Sequence, residues 1–250
     1  MDLTLVRNAT LRLEMGGRRL LVDPMLDPAG ARPPIADTPS PRPNPLVELP
    51  LTTAELIDGL DAVLATHLHK DHLDDTAVRV LDPRVLACQP PDEAALRERG
   101  FADVRAVAGE IDLCGIGVAR TAGRHGTGRI GEAMGPVSGY VLRAPGEPVL
   151  YVAGDTIWCD EVDDAVAEHG PDVVVVNAGA ARFLEGDPIV MDAEGVIETA
   201  RAAPRATVVA VHLEALNHCP LTRAELRAAV DEAGVGDRVA IPEDGETLRL

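Results

Sequence analysis

The sequence predicts an α/β chain folded as two packed sheets with helices outside. Three observations carry that expectation. Closely spaced strand-like runs open the chain before any helix, later segments alternate strand and helix, and three apolar runs each end on a polar residue of a metal-ligating type. No polar linker divides the 250 residues, so one domain spanning 1–250 is expected.

Alternating apolar residues predict strands at 2–6, 9–14 and 19–22. Residues 24–50 follow, rich in proline and without a period. They read as a loop, either bordering a pocket or subunit contact or passive at the surface. A helix is expected at 53–59, then a short buried strand at 61–66 and a helix at 73–81. Further strands are expected at 84–88, 103–107, 110–121, 137–142 and 148–153, with a helix at 91–99 between the first two. The polar helix at 160–168 ends before Gly170-Pro171. Beyond it lie a strand at 172–176, a helix at 191–202, a strand at 206–211, a helix at 222–233 and strands at 238–241 and 246–250. The last helix opens on the capping-box pattern Thr222-Arg223-Ala224-Glu225. Residues 1 to about 125 could be echoed after about 136, although no repeat shows in the sequence itself.

The chemistry concentrates in Thr66-His67-Leu68-His69-Lys70-Asp71-His72. Three imidazoles and a carboxylate in six residues are intermediate ligands of the kind zinc, iron or manganese accept, and their mixed spacing suits two adjacent ions. Extending the period of the preceding strand puts His67 and His69 on one side, able to grip one ion. Asp71 and His72 fall at the strand-to-helix turn, where they can serve a second. The apolar runs ending at Gly154-Asp155 and at His212 place further polar groups at strand ends. Ligands gather at such ends in layered α/β proteins.

His67-Leu68-His69-Lys70-Asp71-His72 resembles the HxHxDH signature of the metallo-β-lactamase superfamily. The resemblance also takes in Arg7-Asn8-Ala9-Thr10, Leu21-Val22-Asp23-Pro24, Gly154-Asp155-Thr156 and Val211-His212, and within the superfamily it is most like the ascorbate-6-phosphate lactonase-like branch. It implies a four-layer αββα sandwich and hydrolysis of esters, lactones, thioesters, amides or phosphodiesters. It implies that His67, His69 and His125 bind one metal, that Asp71, His72 and His212 bind the other, and that Asp155 bridges them. His125 is placed by order along the chain. Two divalent ions are expected, zinc first, with manganese or iron as alternatives. Such ions can share a water and lower its pKa from 15.7 toward about 7. Asp155 and Asp71 are the carboxylates expected at the reacting centre, Asp155 holding the metals and accepting a proton from the attacking water.

Other residues carry open alternatives. Asp23 either supports a ligand histidine or ends a strand in an Asp-Pro turn. His218 is close enough to His212 to face substrate, against the reading of an ordinary loop histidine, and Trp158 lines the pocket or, more in keeping with its size, packs in the core. His169 is read as a solvated residue at a helix end. Gly126-Thr127-Gly128-Arg129-Ile130-Gly131 fits a dinucleotide pattern but lacks its strand-to-helix context, the next clear element being a strand. Its glycines are expected to let backbone pass near His125.

Composition narrows the function. Acidic residues number 41 against 23 basic ones, a formal charge of −18 without a basic run, which argues against nucleic acid as a partner and demotes nuclease activity. Arg124, Arg129 and Arg182 could still favour a small phosphorylated substrate. The two serines, Ser40 and Ser138, lie outside any Gly-x-Ser-x-Gly pattern, which disfavours covalent serine catalysis. Cys88, Cys114, Cys159 and Cys219 form no Cys-x-x-Cys pair, no signal peptide or membrane segment is legible, and a cytoplasmic location is expected. Asn8-Ala9-Thr10 is then a coincidental glycosylation pattern. The leading function is a dinuclear metal hydrolase of a small ester, lactone or related carbonyl compound, with homo-oligomerisation open. Alternatives are a phosphodiesterase and a metal-binding protein without turnover. A redox role resembles flavin-linked diiron relatives, which place a carboxylate where His69 stands and carry a flavin domain.

Overall fold

The computed structural model describes residues 1–38, 40–81 and 85–250. Its first sheet contains β1 (Asp2–Arg7), β2 (Thr10–Met15), β3 (Arg18–Val22), β4 (Ala62–Ala65), β5 (Val85–Cys88) and β6 (Val104–Ala106) in that spatial order. The second contains β7 (Glu110–Leu113), β8 (Ile116–Ala122), β9 (Ser138–Arg143), β10 (Leu150–Val152), β11 (Val173–Asn177), β12 (Thr207–Val211) and β13 (Val239–Ala240), again in sequence order. The chain then returns to add β14 (Thr247–Arg249) beside β1. Helices α1 (Thr53–Ile57), α2 (Asp75–Leu81) and α3 (Glu93–Glu98) flank the first sheet. Helix α4 (Gly128–Met134) follows β8, and α5 (Asp160–His169), α6 (Ala193–Ala202) and α7 (Arg223–Glu232) flank the second.

Period-two burial builds the layers. In β11, Val173 and Val175 point between the sheets while Val174 and Val176 point at the outer helices, so both faces of the strand are covered. The inter-sheet core joins Leu3, Leu5, Leu13 and Leu64 of the first sheet to Tyr140, Leu142, Leu150 and Val209 of the second. Outside, Leu56, Ala77 and Leu96 pack on Leu21, Val63 and Leu86, and Val162, Val196 and Leu226 pack on Tyr151, Val174 and Val208. Each fully buried valine or leucine contributes roughly 1.5–3 kcal/mol of transfer free energy. The result is the expected αββα sandwich.

Both sheets run antiparallel through their first strands and parallel thereafter, the change falling at β3–β4 in one and β10–β11 in the other. This echo supports the anticipated doubling, but the second sheet begins at Glu110 rather than after residue 136.

Several elements differ from expectation. The single strand anticipated at 110–121 is a hairpin, because Cys114 and Gly115 take positive φ values (57° and 89°) and turn the chain. The Gly126–Gly131 stretch, expected to reach a strand without an intervening helix, runs into α4. Its strand β8 pairs antiparallel with β9, however, so no βαβ unit forms. Arg84, the first residue of an expected strand, lies outside the described residues. The capping box at Thr222 and Glu225 forms as anticipated, and a second, at Thr52 and Glu55, opens α1. No helix among the described residues is long and apolar enough to cross a membrane.

Candidate metal centre

Four segments deliver seven side chains to one edge of the sandwich. His67, His69, Asp71 and His72 leave the end of β4, His125 follows β8, Asp155 follows β10 and His212 follows β12. The first three-histidine group, His67, His69 and His125, brings ring nitrogens within 4.8 Å of one another, and Asp71, His72, Asp155 and His212 do the same. His67 Nε2 and His69 Nδ1 face each other at 2.9 Å, as their two-residue spacing anticipates. Asp155 lies between the groups: its Oδ2 is 3.2 Å from His72 Nε2, 3.4 Å from His125 Nε2 and 3.9 Å from His67 Nε2, while its Oδ1 is 3.8 Å from His212 Nε2.

Local backbone makes this convergence. Asp23 and His212 adopt positive φ (46° and 65°), uncommon for residues with side chains and enriched at functional sites. Gly154 also has positive φ, and a Cβ there would come 2.8 Å from the Ser138 carbonyl, so this turn into Asp155 requires glycine.

The outward ring nitrogens are held. His72 Nδ1 lies 2.9 Å from Asp23 Oδ2, His125 Nδ1 lies 2.7 Å from the Ile189 carbonyl, His67 Nδ1 lies 3.1 Å from Thr66 Oγ1, and His212 Nδ1 lies 3.4 Å from Cys219 Sγ. Asp23 also accepts from the Thr66 amide and hydroxyl, linking His67, Thr66 and His72 through one carboxylate. Of the two readings of Asp23, contact with a cluster histidine is the one the geometry realises.

Such an arrangement fixes which nitrogen turns inward. A proton on Nδ1 of His72 and of His125 leaves the Nε2 lone pair of each turned toward Asp155 Oδ2. The Nε2 atoms of His72 and His212 are enclosed and make no well-formed hydrogen bond, although Asp155 and Asp71 lie 3.2 and 3.4 Å away. Buried polar atoms without partners are costly, and convergent imidazole and carboxylate donors are the set that divalent zinc, manganese or iron accepts. The residues therefore fit bound metal.

Charge is finely balanced among the side chains of the cluster. Burial disfavours ionised Asp71 and Asp155, but the neighbouring histidines outweigh it, His72 foremost, and hold both carboxyls well below their ordinary range. Burial likewise opposes protonation of His72, yet Asp155, Asp23 and Asp71 raise its pKa well above the usual value. For His67 burial prevails, aided by repulsion from His72, and its pKa falls well below the ordinary value.

The cluster opens into a cavity of about 360 Å³. Its lining joins His69, Asp71, His125 and Asp155 to a largely apolar set, Pro33, Ile35, Met134, Phe183, Ile189 and Leu216. The 24–50 loop supplies Arg32, Pro33, Ile35 and Asn44 to this lining, so it borders the pocket. Asn217 ties the loop down: its amide donates to the Ile35 and Ser40 carbonyls and to Thr38 Oγ1, while its carbonyl oxygen accepts from Ile35 N and Asn44 Nδ2. Buried Arg7 braces the loop's two ends through the carbonyls of Met25, Asp27 and Val47. Lys70 lines the pocket too, with its ammonium on Asp75.

His218 also lines the cavity. It is 5% exposed, and burial lowers its pKa to about 4, leaving a neutral ring. Trp158 instead packs against the outer core of the second sheet, and His169 sits half-buried at the end of α5. Asn8, 1% exposed, donates to the Asp71 carbonyl and accepts the His212 amide on its own carbonyl, a buried role that closes it to glycosylation. Sequence reasoning passed over Asn177, whose amide donates to Asp155 Oδ1 at 2.6 Å. Its place at the end of the apolar run of β11 was the available signal, the same one that marked Asp155.

A family model described as beta-lactamase superfamily domain matches residues 18–213. UPF0173 protein YddR of Bacillus subtilis (strain 168) is 39% identical, the match covering 99% of each chain. Among solved structures, isothiocyanate hydrolase from Delia radicum gut bacteria superposes with a TM-score of 0.94 at 36% identity, covering 100% of this chain and 99% of that one. A possible metal-dependent hydrolase from Veillonella parvula DSM 2008 gives 0.96 at 32% identity, with the same coverage. More distant UPF0173 relatives, 24% to 29% identical, bear the name metal-dependent hydrolase.

Proposed function

The chain belongs to the beta-lactamase superfamily and to its UPF0173 group of metal-dependent hydrolases, and from that premise we propose that it hydrolyses a small, largely apolar molecule at an electrophilic carbon beside two divalent ions. The observation that carries the reading is the pairing of two adjoining ligand clusters with an apolar cavity. His67, His69 and His125 would hold one ion and Asp71, His72 and His212 the other, with Asp155 between them. Zinc is the favoured ion for imidazole-rich sites. Such a pair supplies Lewis acidity and a water whose pKa falls toward about 7.

The chain's own groups do the rest. Asp155, held ionised and anchored by Asn177, would accept a proton from that water, with Asp71 as the second carboxylate of the cluster. The apolar wall grips the substrate's hydrocarbon part and excludes water around the reacting carbon. The cavity's lining, ligand-type side chains together with an apolar set, favours compounds with one compact polar end. Isothiocyanates fit that description, and similarity to an isothiocyanate hydrolase supports them as the first class to try. Hydrolysis would form a C–O bond and open the C=N π bond, one water proton going to nitrogen and the other staying on oxygen. The resulting thiocarbamic acid then yields an amine and carbonyl sulfide. Esters and lactones, the substrates of the lactonase-like branch, present a comparable carbon.

The test is zinc content together with a panel of aryl and alkyl isothiocyanates, lactones, esters, β-lactams and phosphodiesters. Two zinc ions per chain and turnover of an apolar isothiocyanate, ester or lactone are expected, with activity lost on chelation and regained with zinc. Preference for phosphodiesters, or stoichiometric metal without any turnover, would overturn the reading.

A further inference from the structure

The geometry points to His218 as a further catalytic residue, donating a hydrogen bond from Nε2–H to the substrate heteroatom on which negative charge develops as water adds to the neighbouring carbon. This rests on the hydrolase reading above and deepens it, because it assigns the organic side of the cavity a polar function of its own.

Three observations combine. First, His218 shares the cavity with His69, Asp71, His125 and Asp155, and its ring centroid lies 6.3 Å from that of His212, so it stands beside the cluster without belonging to either ligand group. Second, neither ring nitrogen has a hydrogen-bond partner among the described residues, and only Nδ1 is enclosed, so Nε2 is the nitrogen that keeps contact with the cavity. A buried N–H without an acceptor costs more than a buried lone pair without a donor. The neutral ring therefore carries its proton on Nε2. Third, the other donor side chains of the lining are partly drawn away from the cavity. Asn44 Nδ2 donates to Asn217, the Lys70 ammonium to Asp75, and Arg32 pairs with Asp27 and donates to the Lys70 carbonyl, its remaining Nη2 being enclosed.

Where the cluster holds its ions, they would draw charge on the side of the attacking water, and the rest of the lining offers few free donors to the substrate heteroatom, a place the His218 N–H can fill. For an isothiocyanate the negative charge develops on nitrogen, for an ester or lactone on the carbonyl oxygen. His218 keeps its proton throughout, because the proton that ends on nitrogen, or on an ester's departing oxygen, comes from water. A donor that meets charge only as it develops lowers the barrier more than it tightens substrate binding.

The test compares wild-type protein, His218→Phe and His218→Gln, all zinc-loaded and checked for metal content and melting temperature, on the fastest substrate of the panel. Phe keeps the ring volume without the donor, whereas the Gln amide reaches close to the Nε2 position. His218→Phe is expected to lose about 100-fold in kcat with KM within about threefold, and Gln to recover about tenfold of that loss. Independently of turnover, nitrogen-15 NMR of histidine-labelled zinc protein should place the His218 proton on Nε2, the signal being assigned by its absence from the Gln variant. Full activity in the Phe variant, or a proton on Nδ1, overturns the inference while leaving the hydrolase reading intact. A zinc-loaded wild type inert toward the whole panel overturns both.

Discussion

Replacing Asp23 by asparagine should cost metal affinity far more than it costs folding. Asp23 Oδ1 accepts from the Thr66 amide at 2.8 Å, and Oδ2 accepts from Thr66 Oγ1 at 2.7 Å and from His72 Nδ1 at 2.9 Å. In Asp23→Asn, keeping the carbonyl on the Thr66 amide turns the new NH2 toward His72 Nδ1. That nitrogen must then accept, and the ring proton moves to Nε2, the atom 3.2 Å from Asp155 Oδ2 that is proposed to face a metal. The opposite amide orientation sets NH2 against the Thr66 N–H, two buried donors, at about 1–3 kcal/mol. Loss of such a supporting carboxylate lowers metal affinity by about 10- to 100-fold, or about 1.4–2.8 kcal/mol. The loss should fall mainly on the binding step that involves His72, because His125 keeps the Ile189 carbonyl and His67 is touched only through the Thr66 hydroxyl, which loses Asp23 Oδ2 as its acceptor. Stepwise zinc titration against a competing chromophoric chelator measures it, with the melting temperature of the metal-free variant as the folding control. Two unchanged stepwise affinities in Asp23→Asn would refute the assignment of His72 as a ligand oriented through Nδ1.

Two further outcomes follow from the surroundings of the site. Asn217→Ala removes the amide that gathers Ile35, Thr38, Ser40 and Asn44, and should lower stability by about 2–3 kcal/mol, measured by urea unfolding, while raising KM several-fold with little change in metal content. An unaltered KM would mean that this part of the 24–50 loop does not shape substrate binding. Burial pushes the Cys88 thiol up to about 12, so at pH 8 it holds almost no thiolate and should resist iodoacetamide in the folded protein, whereas half-exposed Cys114 in the β7–β8 turn should alkylate first, as mass spectrometry of native digests can show.

The layered fold was legible because period-two alternation is local: Val173 to Val176 announce two buried faces, and the runs before His67, Asp155 and His212 announce strands ending on polar groups. The hairpin at Cys114-Gly115 and helix α4 were missed for a local reason too. Positive φ at a cysteine leaves little trace in an apolar run, and glycines in Gly128–Met134 lower helix propensity that packing then overrides.

The sequence by itself determined the ligand types, their crowding after β4 and the likeness to a metal-handling superfamily, since residue chemistry and short spacings do not depend on how distant segments meet. Only the tertiary structure decided that His125 joins His67 and His69, that Asp23 grips His72 and Asn177 grips Asp155, and that His218 faces the cavity while Trp158 does not. Those relations cross tens of residues, and they are fixed by where strand ends and positive-φ turns place side chains once both sheets have packed, a geometry that no stretch of sequence encodes alone.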